Sequence, residues 1–466
     1  MAPNDGVVGT LPLYRESSAE TAARGKKARR RIPRERLGEH TPVDRDPVAI
    51  ITGQNATRLP HLVPLRHARM ASSPYSFFRG AAALMAFDLS HQEQTGAQVV
   101  ISGDAHINNF GLYASPERRL VFDLNDFDEA APGPWEWDVK RLLTSAVLAA
   151  QENGLSKTET NRIVRNAART YRTNLEALCS LPALQRLYVS VDSTVLAENV
   201  REEGVKKLNK VTRKALHRDS DRAIQHLMGP DEGGDLRFLE QPPILTKVED
   251  RVVRDLEFIF SEYRDSTTPD IAYFLSQYTM TDVALRVVGV GSVGTRCYLV
   301  ALSGPEGDGI ILQAKEATQS VVMEHSDPNV TTPPTLRPGM PAGERVVAHQ
   351  RILQAVSDPF LGHMESASSA FYVRQYRDAK GSFDTTQMNA DELTDYVALC
   401  ANLLSRAHSQ SPMAHWIVGY LGDSDVFDKA MVKWANAYAK QSNEDFEAFK
   451  EAVASGKIEA ASTAGG

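Results

Sequence analysis

The stretch Ser102-Gly-Asp-Ala-His-Ile-Asn-Asn-Phe-Gly111, followed by Val121-Phe-Asp-Leu-Asn-Asp-Phe-Asp-Glu129, decides how this chain is read. An apolar, strand-like run over 98–101 ends just before Asp104, and Asn109 follows in the same loop. A second apolar run, 120–122, delivers Asp123, Asp126 and Asp128. An acid, an amide and further acids, each set at the end of a short strand, suit the holding of a divalent cation and the orienting of a nucleophile. Kinases use that arrangement, so phosphoryl transfer is the leading expectation.

Such chemistry needs a nucleotide site, and the sequence offers one far downstream. Gly289-Val-Gly-Ser-Val-Gly294 lies between two strand-like runs. A lone glycine signature of this kind is weak, and the element that follows it separates two folds. In a dinucleotide-binding fold a helix follows and receives the pyrophosphate. Here Thr295 to Leu302 is β-branched and aromatic and reads as a strand. A glycine loop between strands is the kinase pattern, with backbone N–H groups covering the phosphates. Gly289, Gly291, Ser292 and Gly294 are the candidate loop residues. A kinase also needs a lysine on the next strand, and Lys315 in Leu312-Gln-Ala-Lys-Glu316 fits. Its carboxylate partner is expected from Glu344, which opens the next helix, with Glu324 as the weaker choice.

In an ordinary kinase the glycine loop and lysine precede the catalytic loop; here Asp104 comes first. Spatial neighbours matter more than chain order, and circular permutation is tolerated where termini lie close. The expected architecture is therefore α+β, a two-lobed protein-kinase-like fold in circularly permuted order, with a mostly helical large lobe and a small antiparallel β lobe. Residues 1–45, with the run Lys26-Lys-Ala-Arg-Arg-Arg31, read as a disordered basic tail. Residues 46–280 read as the large lobe with the catalytic and metal loops, 281–390 as the β lobe, and 391–466 as helices returning to the large lobe.

Composition sets the class. The chain has 466 residues, 42% hydrophobic and 24% charged, enough for two or three domains. The net charge of −7 argues against a nucleic-acid partner. Three scattered cysteines, Cys179, Cys297 and Cys400, fit a reducing compartment. No apolar run approaches the roughly 20 residues of a membrane span, and no secretory signal opens the chain. The cytoplasm is the expected location.

Roles follow from residue type. Asp104 would orient the acceptor hydroxyl and accept its proton. Asn109 would ligate Mg²⁺ through its amide oxygen, although Asn108-Asn109 is also turn-like. Asp123 and Asp126 compete for the main metal role: spacing from Asn109 favours Asp123, whereas Asp126-Phe-Asp128 looks more like a metal-binding Asp-Phe-Gly. Asp128 and Glu129 read as supporting or solvated acids. His106 reads as a hydrogen-bonding strut and Asp138 as a buried acceptor for loop N–H groups. Arg79 suits either a phosphate or an internal ion pair.

Several of these stretches carry a family resemblance. Arg69-Met-Ala-Ser-Ser-Pro-Tyr-Ser-Phe-Phe-Arg-Gly80, Gly103 to Gly111, Phe122 to Glu129, Gly133-Pro-Trp-Glu-Trp-Asp-Val-Lys-Arg-Leu142, Gly291-Ser-Val-Gly-Thr-Arg296 and Gln313-Ala-Lys-Glu316 are the matching motifs. On these the chain resembles the bacterial family catalogued as domain of unknown function 2252, from about Arg34 to about Phe449. That resemblance implies a protein-kinase-like fold and leaves the substrate open. More distantly, Gly103 to Asn109 is similar to the catalytic loop of aminoglycoside and choline kinases, with Ser102 in place of their usual histidine.

The expected function is an ATP- and Mg²⁺-dependent phosphotransferase acting on a hydroxyl acceptor. A nucleotide-binding pseudokinase and an AMP transferase are the alternatives. A metal-dependent phosphoesterase is a more remote one, since no Gly-Asn-His motif follows Asp104-Ala-His106.

Overall fold

The computed structural model describes residues 16–192, 211–215, 220–231, 236–287, 289, 291–305, 308–326, 339–366, 369–376 and 379–461. They form a mixed α+β architecture of helices and small antiparallel sheets. Helices α1 (Ser18–Ala28), α2 (Pro47–Gly53), α3 (Val63–Met70), α4 (Pro74–Gly80) and α5 (Ala82–Ser90) lead into four short strands. These are β1 (Gln98–Ile101), β2 (Phe110–Ala114), β3 (Leu120–Leu124) and β4 (Ala131–Pro134). Helices α6 (Trp135–Glu152), α7 (Lys157–Ser180) and α8 (Ala183–Leu187) follow.

A sheet region comes next. It contains α9 (Ser220–Leu227), β5 (Met228–Pro230), β6 (Leu236–Phe238), β7 (Leu245–Lys247), α10 (Asp250–Ser266), α11 (Pro269–Leu275), β8 (Thr279–Arg286), β9 (Cys297–Ser303) and β10 (Gly309–Ala317). Helices α12 (Val321–His325) and α13 (Ala342–Leu353) separate β10 from β11 (Gly362–Glu365) and β12 (Ala370–Gln375). The chain then returns to helices α14 (Ala390–Ser409), α15 (Ala414–Leu421) and α16 (Val426–Ala454).

The large core is helical. α6 is buried from Trp135 to Ala150, as expected of a helix packed on every side. It is wrapped by α7, α14 and α16, and one apolar cluster runs from Leu37 to Ala439. β1 pairs with β4 and β2 with β3, so the loops after β1 and β3 emerge side by side. Gly103 sits where they meet. Its φ is +75°, and a Cβ there would lie 2.4 Å from the Glu129 carbonyl oxygen, so glycine is required.

The sheet runs β11-β12-β10-β9-β8-β7, with every adjacent pair antiparallel. Strand alternation sorts its two faces. Val300 and Leu302 of β9 pack towards α10 and α11, whereas Leu299 and Ala301 pack with α9 and β6. On β10, Leu312 and Ala314 join the first face. Ile311, Gln313 and Lys315 have the opposite phase, and Gln313 and Lys315 open onto a cleft against the helical region. Past β12 the chain runs along that cleft and pairs with β2, through Leu112 N–H to Gly381 O at 2.7 Å and Gly381 N–H to Leu112 O at 2.9 Å.

Two boundaries differ from the sequence reading. The sheet region begins well before residue 281, because β7 is an edge strand of the sheet and α9 and α10 cover its faces. The basic tail is structured from Ser17 on, while residues 1–15 lie outside the described residues. α1 opens with a capping box between Ser17 and Glu20. Arginines of the basic run then bond to carbonyls at the end of α15: Arg29 Nε to Tyr420 O at 2.8 Å, with Arg34 Nη1 to Leu421 O at 2.5 Å just beyond the run. Cations at the carbonyl end of a helix complement its dipole. Residues 327–338, between α12 and α13, lie outside the described residues. No described helix is long and apolar enough to cross a membrane.

Candidate functional site

The loop after β1 is held from beneath. The Asp138 carboxylate, in the first turn of α6, accepts from Ser102 N–H at 2.7 Å and Gly103 N–H at 2.9 Å. His408 Nε2 lies 3.3 Å from Asp138 Oδ2, and Tyr171 OH is 2.8 Å from His408 Nδ1. This fully buried chain fixes the loop backbone, the acceptor role expected of Asp138. Asp104 then projects upward, with Oδ1 held by Arg141 Nε at 2.8 Å. Arg141 also bonds to Phe78 O and lies over the Phe78 ring at 3.9 Å. Asn109 donates Nδ2 to Asp104 O at 2.8 Å, which leaves its amide oxygen as an acceptor. His106 is buried, and burial together with Arg79 and Arg141 lowers its pKa well below the usual range. Its Nε2 lies 3.8 Å from Asp104 Oδ2.

The two competing aspartates part company. Asp123 is buried on β3, and its oxygens accept from Leu124 N–H and Ala355 N–H, both at 2.8 Å. Burial raises its pKa while Arg406 pulls it down. It ties β3 to the segment after α13 and lies away from the cleft, which corrects its ranking as first metal ligand. Asp126 lines the cleft, and its buried Oδ1 has no hydrogen-bond partner.

Lys315 faces these acids. Its ammonium contacts Asp128 Oδ2 and lies 3.7 Å from Asp126 Oδ1. Burial alone would lower this lysine, but Asp126 and Asp128 outweigh burial and hold it well above its ordinary value. Asp126 is raised, by burial and by Asp128. Asp128 is lowered: against burial, Lys315 and the Tyr372 hydroxyl, 2.8 Å away, favour its charged form. The carboxylate expected from Glu344 thus comes from Asp128, which the sequence had left as a supporting or solvated acid. The helix contributes the next residue instead. Arg345 donates to Ala130 O at 2.6 Å, Asp128 O at 2.8 Å and Thr318 O at 2.9 Å, bracing the acid loop. A buried arginine in the first turn or so of a helix carries no sequence signal for that task.

The glycine turn joins β8 to β9, with Gly289 at φ +65° and Gly294 at φ +92°. It is clamped from outside by the segment before α4. Arg69 donates to Gly289 O, Arg58 Nη1 to Val293 O at 2.6 Å, and Leu59 N–H to Gly294 O at 2.7 Å. Val288 and Val290 lie outside the described residues.

Two connected compartments result. The larger, about 440 Å³, lies between Gln313 and Lys315 of the sheet, the chain leaving β12, and β2. The smaller, about 180 Å³, is bounded by Asp104, Asn109, Asp128, Glu129, Arg58 and Arg79. Asp126, Gly289 and Ser292 line both. Burial, with Asp128 and Asp104 adding like charge, pushes Glu129 up to about 7, against the Val321 amide and Arg345. Among the described residues no three or more His, Cys, Asp or Glu side chains form a metal cage. Mg²⁺ does not require one, since it binds through one or two carboxylates, water and substrate phosphates. Asp126 Oδ1, which accepts no hydrogen bond, and the Asn109 amide oxygen fit that role.

The fold and site thus define a mixed α+β protein with an acid-lined cleft between a helical region and a lysine-bearing sheet. A family model described as "Uncharacterized protein conserved in bacteria (DUF2252)" matches residues 58–452, and the chain belongs to that family. No curated protein and no solved structure matches it.

Proposed function

We propose that this protein is an ATP- and Mg²⁺-dependent phosphotransferase of protein-kinase-like fold, circularly permuted, acting on a hydroxyl acceptor. The observation that carries the reading is Lys315, set against Asp126 and Asp128 in a cleft whose walls include the glycine turn and, in the adjoining compartment, Asp104 and Asn109. Element order supports it. β8, the glycine turn, β9, the lysine on β10, helix α13 and then β11 and β12 follow one another as in a kinase small lobe. The catalytic and acid loops come from earlier in the chain, which is what permutation produces.

In this reading the larger compartment takes the nucleoside, and Lys315 faces its phosphates. Asp126 and Asn109 would hold Mg²⁺, which would supply positive charge against the phosphates. Asp104, fixed through Oδ1 by Arg141, leaves Oδ2 to accept the hydroxyl proton as the oxygen attacks phosphorus. The phosphorus–oxygen bond to the leaving ADP breaks in the same transfer.

The test is thermal unfolding with ATP, with and without Mg²⁺, followed by turnover with a panel of hydroxyl acceptors. Mg²⁺-dependent stabilisation is expected, with transfer reduced about 10²–10⁴-fold in Asp104→Asn while the stabilisation persists. Absence of any ATP-dependent shift in the wild type overturns the reading. Stabilisation without transfer identifies a nucleotide-binding pseudokinase, and label transferred from the α- rather than the γ-phosphate identifies an AMP transferase.

A further inference from the structure

The smaller compartment gathers four buried side-chain atoms that have no hydrogen-bond partner: Asp126 Oδ1, His106 Nδ1, Arg58 Nε and Arg79 Nε. Its other acids are already engaged. Asp128 is paired with Lys315, Asp104 with Arg141 and Glu316 with Arg296, and Glu129 accepts the Val321 amide at 2.7 Å. Asp126 lies 3.7 Å from Lys315 but its Oδ1 accepts no hydrogen bond, so the unmet set is that oxygen beside two guanidinium donors. A buried unpaired donor costs about 1–3 kcal/mol, more when charged. Arg58 and Arg79 both line this one small space, and among the described residues no carboxylate in it bonds to either guanidinium, which leaves room for an anionic ligand.

We propose that Arg58 and Arg79 form a phosphate subsite within reach of Asp104. The complement of the unmet set is a cation on an anion: a metal against Asp126 and a phosphoryl group against the two arginines. A guanidinium fork matches a tetrahedral oxyanion in shape and charge. Arg58 is held in place through Nη1 to Val293 O, so it reads the glycine turn and the cavity together. Arg79, at the end of α4, lies over the Tyr75 ring at 5.9 Å. Lys315 is unsuited to be the sole phosphate cation here, because two carboxylates already balance it. The subsite rests on the phosphotransferase reading only for the source of the phosphate. That source is either the terminal phosphate of the nucleotide or an anionic group on the acceptor.

Arg79→Gln is the primary variant, since it removes an unpaired buried donor and is expected to leave the ligand-free unfolding midpoint unchanged or raised. Arg79→Lys, which keeps the charge, should restore binding in part. Titration calorimetry with Mg²⁺ would compare the ATP analogue AMPPNP, ADP and inorganic phosphate. Loss in Arg79→Gln of about tenfold to a hundredfold in the preference for AMPPNP over ADP places the nucleotide's terminal phosphate in the subsite. An unchanged preference, with loss of inorganic phosphate binding to the AMPPNP-saturated protein, places an acceptor anion there. If the wild type binds phosphate but no nucleotide, and Arg79→Gln loses it, the subsite stands and the phosphotransferase reading falls. If Arg79→Gln keeps both the preference and phosphate binding, or the wild type binds neither nucleotide nor phosphate, the subsite is overturned.

Discussion

Two buried charge clusters in this molecule look alike by composition and differ in bonding. In the helical region Arg45 lies between Asp88 and Asp445. Its nitrogens reach both oxygens of each carboxylate at 2.6–2.9 Å, and Tyr438 OH adds a bond to Asp88 at 2.8 Å. In the cleft, by contrast, Asp126, Arg58 and Arg79 each keep a buried atom without a partner. A closed set of bonds is complete architecture. An open set waits for something the chain does not supply. Burial and charge alone would not have separated these clusters, whereas the accounting of individual donors and acceptors does.

The largest expected effect lies in the closed cluster. Arg45→Met strands two buried carboxylates and should cost about 3–5 kcal/mol in urea unfolding, with nucleotide-dependent stabilisation retained by the folded fraction. Next is the contrast between the aspartates. Asp123→Ala leaves the Leu124 and Ala355 amides without acceptors and should cost about 2–4 kcal/mol, while the Mg²⁺ response persists. Asp126→Asn removes one of the two acids that balance buried Lys315; it should cost less than Asp123→Ala because Asp128 remains, and it should abolish the Mg²⁺ response. Reversal of that pattern would break the comparison.

A smaller effect concerns pH. Glu129 titrates near 7 in the folded protein and near 4.3 when unfolded. Its protonated form is therefore favoured by folding. The stability this provides is complete below about pH 4 and is lost as pH rises through 7. Glu129→Gln should match the wild type near pH 4 and exceed it by about 1–3 kcal/mol at pH 8, read from unfolding midpoints across pH. The smallest effect is at the surface. Arg24→Ala breaks an exposed pair with Glu16 and should shift stability by no more than about 0.5 kcal/mol.

Much of the local layout was legible from local signals. Ser73 before Pro74 is a local helix-start signal, and the Ser73 side chain caps α4, accepting from Ser76 N–H. The β-branched run after Gly294 announced a strand, and β9 lies there. What could not be read depends on partners far away in sequence. Asp128 and Lys315 are 187 residues apart, so nothing near either one names the other. Asp123 and Asp126 sit in similar local sequence, and the difference between them is made by Ala355, 232 residues beyond Asp123. The arginines of the basic run looked like a solvated tail because the carbonyls that receive Arg29 belong to a helix about 390 residues on. Glu344 was a reasonable choice by pattern, and only the packing of α13 against the acid loop makes Arg345 the residue that matters there.

The support beneath Asp104 has a consequence for how the protein is made. Asp138 and the His408 that backs it are 270 residues apart, with the whole sheet region between them. At about 5–20 residues per second, a ribosome takes roughly 15–55 s to cover that distance. During that interval the loop bearing Asp104 has emerged, but α14 and α16, which help to enclose α6, have not been synthesised. A nascent chain stalled before Ala390 would expose the apolar faces of α6 and α7, and those faces are natural binding sites for chaperones. The cleft is therefore among the last features of the molecule to be completed, although its first residues are among the earliest translated.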